Sequence, residues 1–327
     1  MNIVPSSAIR ITYVILSFTI SFIASLLTIP PLIKKSLKKN FTGTDLHKPE
    51  KPKIAKSGGI AVYIGFLAAC TLSGLYGIDD RIMLGMILAS TLGAVIGLID
   101  DIFQLEKKTL ILSTFLTGIP IITYRLGTTT ITLTPIGPID LGVIFWITIP
   151  FIFAYYTNSV NIYAGFNGLE AGLGLVTSIS LGISALIYNS VESAILLFSL
   201  SGGLLALLKY NWYPAKIFPG NMGTYLIGAV YAASIIGGTI KTAGLIATLP
   251  YFINFILRLI NGLNWTVGKT TTDGKVYTEK IEALWALFMR KPTSEKTVTI
   301  KCIIIQSIFA IITVFISYIH RNLFNNP

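Results

Sequence analysis

Long apolar stretches alternate with short polar ones along this chain, and the stretches can be counted against a bilayer. A helix rises about 1.5 Å per residue, so about 20 apolar residues cross a hydrocarbon core. Ten runs approach that length: Ile11–Ile33, Ser57–Tyr76, Ile82–Ile99, Thr109–Tyr124, Leu141–Thr157, Leu169–Tyr188, Ser193–Leu208, Met222–Gly238, Thr242–Leu257 and Val298–Ile319. Several are shorter than ideal, which leaves room for one re-entrant pair. Alternation with the period of a strand is confined to Gly127–Leu133, where Thr and Ile alternate and predict a small hairpin outside the membrane. No small-residue cleavage site follows the first run, which reads as a retained anchor. With no repeat, low-complexity tract or second soluble domain, residues 1–327 read as one all-α membrane domain of about ten transmembrane helices.

Composition agrees. Charged residues make up 12% of the 327 and hydrophobic ones 53%, with a mean hydropathy of +0.74. Soluble domains carry about 25% charged residues, so a water-soluble enzyme and a disordered chain are both excluded. Cys70 and Cys302 lie inside apolar runs and form no disulfide framework or zinc knuckle. A net charge of +11 would suggest nucleic acid in a soluble protein. Here the Lys and Arg residues gather in the loops after every second run, which sets orientation instead. The polar segments Lys34–Lys56 and Arg258–Thr297 are then cytoplasmic and both termini lie outside.

Polar groups near a bilayer are costly and mark sites by default. Three clusters fall on the cytoplasmic edge: Asp100-Asp101, the stretch Asn158 to Glu170, and Phe218-Pro-Gly-Asn221-Met-Gly-Thr224. Adjacent carboxylates can hold a divalent cation, or one can act as a base because like charges raise one another's pKa. They can equally be a solvated helix end, the reading given to Asp79-Asp80 on the opposite side. Asn158 and Asn161 are three apart and share a helical face, so both amides can point into one cavity or glue helices together. Asn221 offers either a helix N-terminus for an anion or an ordinary N-cap. The loop lysines set topology and touch anionic lipid heads. His47 stands beside Lys48, and His320 is a terminal interfacial residue.

These residues resemble the polyprenyl-phosphate N-acetylhexosamine-1-phosphate transferases, glycosyltransferases of the family 4 type, and their archaeal and eukaryotic dolichyl-phosphate branch in particular. The resemblance covers nearly the whole chain. It rests on Asp-Leu-His47-Lys48 followed by Ser57-Gly58-Gly59, and on Asp100-Asp101 followed by Lys107-Lys108. It also rests on Asn158-x-x-Asn161-x-x-Ala-Gly165-x-Asn167-Gly168-Leu-Glu170 and on Arg290-Lys291-Pro292. Ala164 stands where bacterial members have aspartate.

The resemblance implies transfer of a sugar-1-phosphate, N-acetylglucosamine-1-phosphate in this branch, from a UDP-sugar to dolichyl or polyprenyl phosphate with release of UMP. That is the first membrane step of N-glycan assembly. It implies Asp100 as the residue that positions or deprotonates the lipid phosphate, with Asp101 in support. Lys107 or Lys108 would contact phosphate, and Asn161 and Asn221 would hold Mg²⁺, with Mn²⁺ as the alternative ion. Phe218 and Asn167 would line the uridine and sugar region, with His47, Lys48, Asn158 and Glu170 in the same substrate site. Arg290 and Lys291 would hold the diphosphate or the N-acetyl sugar. The partners implied are a UDP-amino sugar, a polyprenyl phosphate and the bilayer, with no nucleic acid and with a homodimer as a compatible assembly. An archaeal cell membrane is expected over the endoplasmic reticulum.

One departure stands out: Asn221 occupies the place of a family aspartate, and a neutral amide ligates Mg²⁺ more weakly than a carboxylate. An inactive relative is therefore one alternative. A secondary transporter is another, although such proteins show internal repeats and midplane polar groups, and neither is present in this pattern.

Overall fold

The computed structural model describes residues 7–73, 80–133, 137–263 and 268–324. Asp79, the side chain of Asp80 and the end of the second apolar run lie outside the described residues. The chain is predominantly helical. In order it forms α1 (Ser7–Lys38), α2 (Gly58–Ser73), α3 (Asp80–Phe103), α4 (Lys107–Thr114), α5 (Ile119–Thr123) and α6 (Val143–Ile162). There follow α7 (Leu169–Ile187), α8 (Val191–Asn211), α9 (Gly220–Gly237), α10 (Lys241–Ala247), α11 (Leu249–Ile260) and α12 (Glu295–Phe324).

Six of these helices are long and apolar enough to cross a membrane: α1, α3, α6, α7, α8 and α12. Taken as one span, α10 and α11 make a seventh, but the pair is bent by 58°. The cause is legible in the chain. Pro250 at the start of α11 has no N–H to continue the ladder, so Thr242–Leu257 is not one straight helix. The run Thr109–Tyr124 breaks for the same reason. A 3₁₀ turn at Phe115–Gly118 separates α4 from α5, which carries Pro120 in its first turn.

Helix α9 forms the centre of the bundle, with Met222 to Ile236 all buried. It packs along α3, α6 and α8, while α1 packs on α8 and α12 on α7. Some polar atoms inside are paired across helices, as Ser178 with Ser201 at 2.7 Å and Ser317 donating to Ser184 at 2.9 Å. Such bonds contribute about 0.6 kcal/mol each in a membrane bundle. The outward faces of α1 and α12 remain apolar, with Leu27 70% and Ile311 71% exposed. A side face of that kind belongs in lipid.

Among the described residues, three two-stranded antiparallel sheets lie between the helices. Strands β1 (Thr42–Thr44) and β2 (Lys53–Ala55) pair with Gly43 opposite Ile54. Strands β3 (Thr130–Leu133) and β4 (Gly137–Asp140) form the hairpin that the Thr/Ile alternation predicts. The third joins β5 (Lys269–Thr270) to β6 (Val276–Tyr277).

Candidate active site

The first hairpin, the α6–α7 turn and the entry to α9 meet around a cavity of about 370 Å³. That lies within the range of about 300–1,000 Å³ typical of small-molecule sites. Its wall includes Asp45, His47, Lys56, Asn161, Asn167, Glu170, Phe218 and Asn221.

The entry to α9 is held from three directions. Ala55 bridges Ile217 in parallel register, and Phe218 N–H donates to Ala55 O at 2.8 Å. The first amides of α2 close the other side, Gly58 donating to Phe218 O and Gly59 to Pro219 O. This crossing needs Gly59, because a Cβ there would sit 2.3 Å from the Gly223 nitrogen. The obstacle is backbone and cannot rotate away. Overpacking of this kind costs about 1–3 kcal/mol, so Gly59→Ala is expected to lower the unfolding temperature in detergent by several degrees. An unchanged melting curve would mean that the α2–α9 crossing is looser than this geometry.

The third hold is Asp101. Its carboxylate accepts Asn221 N–H at 2.8 Å and Met222 N–H at 3.0 Å, and pairs with Lys56 Nζ at 2.8 Å. It thus caps the α9 N-terminus, where free N–H groups and the helix dipole favour an anion. Gly220, at φ +66°, lets the chain enter the helix against that carboxylate: a Cβ there would lie 2.6 Å from Asp101 Oδ2. Asp100 lies alongside, its Oδ1 accepting Leu105 N–H at 2.9 Å and its Oδ2 accepting the Asn221 side-chain amide. Both aspartates are buried, so the solvated-helix-end reading does not describe them.

The two asparagines of α6 separate in role. Asn161 lines the cavity, and its Oδ1 accepts the Thr224 hydroxyl at 2.9 Å. Asn158 is one turn deeper, donating to Thr114 Oγ1 and Ala154 O and accepting from Tyr225 at 3.4 Å. That is the helix-gluing arrangement, and Asn158 is absent from the cavity wall.

Behind the wall residues Asp45, His47 and Asn167 lies a buried polar knot. Glu295, the first residue of α12, accepts Asn167 N–H at 2.7 Å and the Lys48 ammonium. Lys48 is also 3.3 Å from Asp45 and lies 4.0 Å over the Tyr213 ring. Asn167 donates its side-chain amide to Asp45 at 3.1 Å. His47 stacks on Phe166, with ring centroids 4.6 Å apart and planes at 5°, and Phe166 meets Trp285 edge-on at 5.1 Å. Glu170 closes the turn by accepting Gly165 N–H at 3.1 Å.

Asp45, His47 and Glu295 bring ligand atoms within 4.8 Å of one another and could hold a metal ion. Lys48 already supplies the positive charge there, which makes a further cation a poor fit. Asn161, Asn221 and Asp100 offer oxygen donors, the type a hard cation such as Mg²⁺ takes. That donor set fits the expected ion.

None of the five predicted cations lines the cavity: Lys48 is held in the knot, and the other four lie away from the wall. Lys107 Nζ donates to Leu263 O at 2.9 Å, and Arg290 donates to Glu279 O. Neither they nor Lys108 and Lys291 line the cavity. Sequence reading passed over Glu295 and Lys56 as site residues. Glu295 looks like an ordinary acidic first turn, and Lys56 like one more topogenic lysine.

The sequence model of Glycosyl transferase family 4 matches residues 83–239. A Saccharolobus solfataricus protein, provisionally named a UDP-N-acetylglucosamine–dolichyl-phosphate N-acetylglucosaminephosphotransferase, is 35% identical over 94% of this chain and 98% of its own length. The Dictyostelium discoideum protein of that name is 28% identical over 72% of this chain and 70% of its own. A Thermoanaerobacter phospho-N-acetylmuramoyl-pentapeptide-transferase is 30% identical over 74% and 78%. The chain belongs to glycosyl transferase family 4.

Proposed function

We propose that the protein transfers N-acetylglucosamine-1-phosphate from UDP-N-acetylglucosamine to dolichyl or polyprenyl phosphate. The observation that carries this reading is the cavity itself, walled by the motif residues His47, Asn161, Asn167, Glu170, Phe218 and Asn221 in a chain of this family. A lipid phosphate oxygen attacks the β-phosphorus, and the α–β bridging bond breaks with its electrons leaving on UMP. Such transfers depend on positioning and charge neutralisation more than on covalent chemistry.

Asp100, which is off the cavity lining but hydrogen-bonded to the wall residue Asn221, holds or takes the proton of the lipid phosphate, and Asp101 fixes the α9 entry beside it. Phe218 offers a ring to the base, and Asn167 and His47 shape the sugar side. Asn161 and Asn221, with Asp100, would hold Mg²⁺ or Mn²⁺. When bound, that ion neutralises charge on the diphosphate. Lys107, Lys108, Arg290 and Lys291 are placed to meet substrate only if the cytoplasmic segments close over it. Asn158 acts by packing α6.

The single membrane domain crosses the bilayer ten times in this reading. The six long helices, the bent pair, α2, the broken segment 107–123 and α9 make up the ten. Clustered Lys and Arg support a cytoplasmic cavity with both termini outside, and the similarity to archaeal proteins supports an archaeal cell membrane. Transport has no observation in its favour.

The deciding measurement is UMP release by purified protein in detergent with UDP-N-acetylglucosamine and dolichyl phosphate. UMP should appear together with a lipid-linked sugar, stop with EDTA and stop with tunicamycin. No release across several sugar nucleotides and lipids would sink the reading. Asn221→Asp adds a carboxylate beside Asp100 and removes the amide that donates to it. It should halve or further lower the Mg²⁺ concentration needed for half-maximal rate. An unchanged Mg²⁺ titration would place the ion elsewhere.

A further inference from the structure

A diphosphate entering this cavity meets two carboxylates in the wall, Asp45 and Glu170. Some fixed positive charge must offset them. The cations that motif matching suggests do not supply it. Lys48 is committed to Glu295, Asp45 and the Tyr213 ring, while Lys107, Lys108, Arg290 and Lys291 are off the wall. Among the described residues that line the cavity, Lys56 is the one Lys or Arg.

Its surroundings suit a ligand-binding role. The side chain is 27% exposed, and its described partner is Asp101, at 2.8 Å. An ammonium has three donors, so two remain for a ligand. Asp101 also does not depend on Lys56 alone, because the Asn221 and Met222 amides both satisfy it. Lys56 can therefore lean toward an incoming anion without leaving a buried carboxylate bare. Nor is the ion pair rigidly isolated from the cavity: Lys56 O and Asp101 Oδ2 both border Gly220, itself a wall residue.

We infer that Lys56 is the protein's own phosphate-binding cation, holding a phosphate of the sugar nucleotide from its anchor on Asp101. The inference rests on the transferase reading and adds a residue to its substrate site.

The test compares UDP with uridine, which differ only in phosphate, binding to the purified full chain in EDTA so that no divalent ion contributes. A charge-assisted hydrogen bond changes affinity by about 10- to 150-fold. Wild type should prefer UDP over uridine by about 30-fold or more. Lys56→Met should reduce that preference to about threefold or less while uridine affinity stays within about threefold of wild type. Lys56→Arg should retain most of the preference. Lys56→Gln keeps a donor toward Asp101 and should behave like Lys56→Met, which covers the case in which the apolar variant does not fold. A parallel loss of UDP and uridine affinity, with their ratio intact, would make Lys56 a structural residue and overturn the inference. If wild type releases UMP yet the ratio survives every substitution, Lys56 alone is wrong. If wild type binds neither compound and releases no UMP, the transferase reading falls and takes the inference with it.

Discussion

Asp100→Asn should abolish turnover and leave the protein folded and able to bind its nucleotide. The geometry makes this a clean removal of charge. Asp100 gives one oxygen to Leu105 N–H and the other to the Asn221 amide. An asparagine keeps the first bond, and Asn221 can turn its amide to present oxygen to the new NH₂, so no buried group is left bare. What is lost is the carboxylate that accepts or steers the lipid phosphate's proton. General-base catalysis contributes about 10²–10⁴-fold, so kcat should fall by about a thousandfold. The Kd for UDP-N-acetylglucosamine, measured in EDTA so that a weakened metal site does not enter, should remain within about threefold and the melting temperature within a few degrees. Single-turnover UMP release together with nucleotide binding measures both. Activity within about tenfold of wild type would remove Asp100 from the chemistry.

The second large effect is expected from a residue that touches no reacting atom. Glu295 is 2% exposed and accepts both the Lys48 ammonium and the Asn167 amide N–H. Glu295→Ala leaves Lys48 with Asp45 as its remaining carboxylate and leaves a buried N–H with no acceptor. Breaking one side of a buried ion pair costs about 3–5 kcal/mol. The melting temperature should drop by about 10 °C, and KM for the nucleotide sugar should rise more steeply than kcat falls, because Asn167 and His47 line the substrate wall. Glu295→Gln keeps an acceptor for Asn167 and should recover part of both. A melting curve within 2 °C of wild type for the alanine variant would show that the knot does not hold the wall.

How much of this was legible in the sequence depends on the range of each interaction. Helices were legible because their apolar runs are local, and the breaks at Pro120 and Pro250 have a local cause that run-counting overlooked. The polar clusters were legible as clusters. Their division of labour was not. Asn158 and Asn161 share a face by spacing, but Thr114 on α4 and Thr224 on α9 decide which amide reaches the cavity. Asp100 and Asp101 are one motif in the chain, yet side-chain direction makes Asp101 a cap for α9 and turns Asp100 to Leu105 and Asn221. Glu295 was invisible because its partners, Lys48 and Asn167, lie 247 and 128 positions away.

Those separations bear on how the protein is made. Asp101 cannot cap α9 until synthesis has passed Asn221, and Lys48 waits for Glu295 while almost the whole chain is built. The early hairpin therefore spends most of translation with Asp45 as the one carboxylate of the pair beside its lysine, and the α9 entry receives its carboxylate cap only once it packs against α3. Insertion of individual helices and assembly of the cavity are thus separate stages. A chain that ends before Glu295 can insert its earlier helices in the membrane and still lack the knot that backs the cavity wall at Asn167.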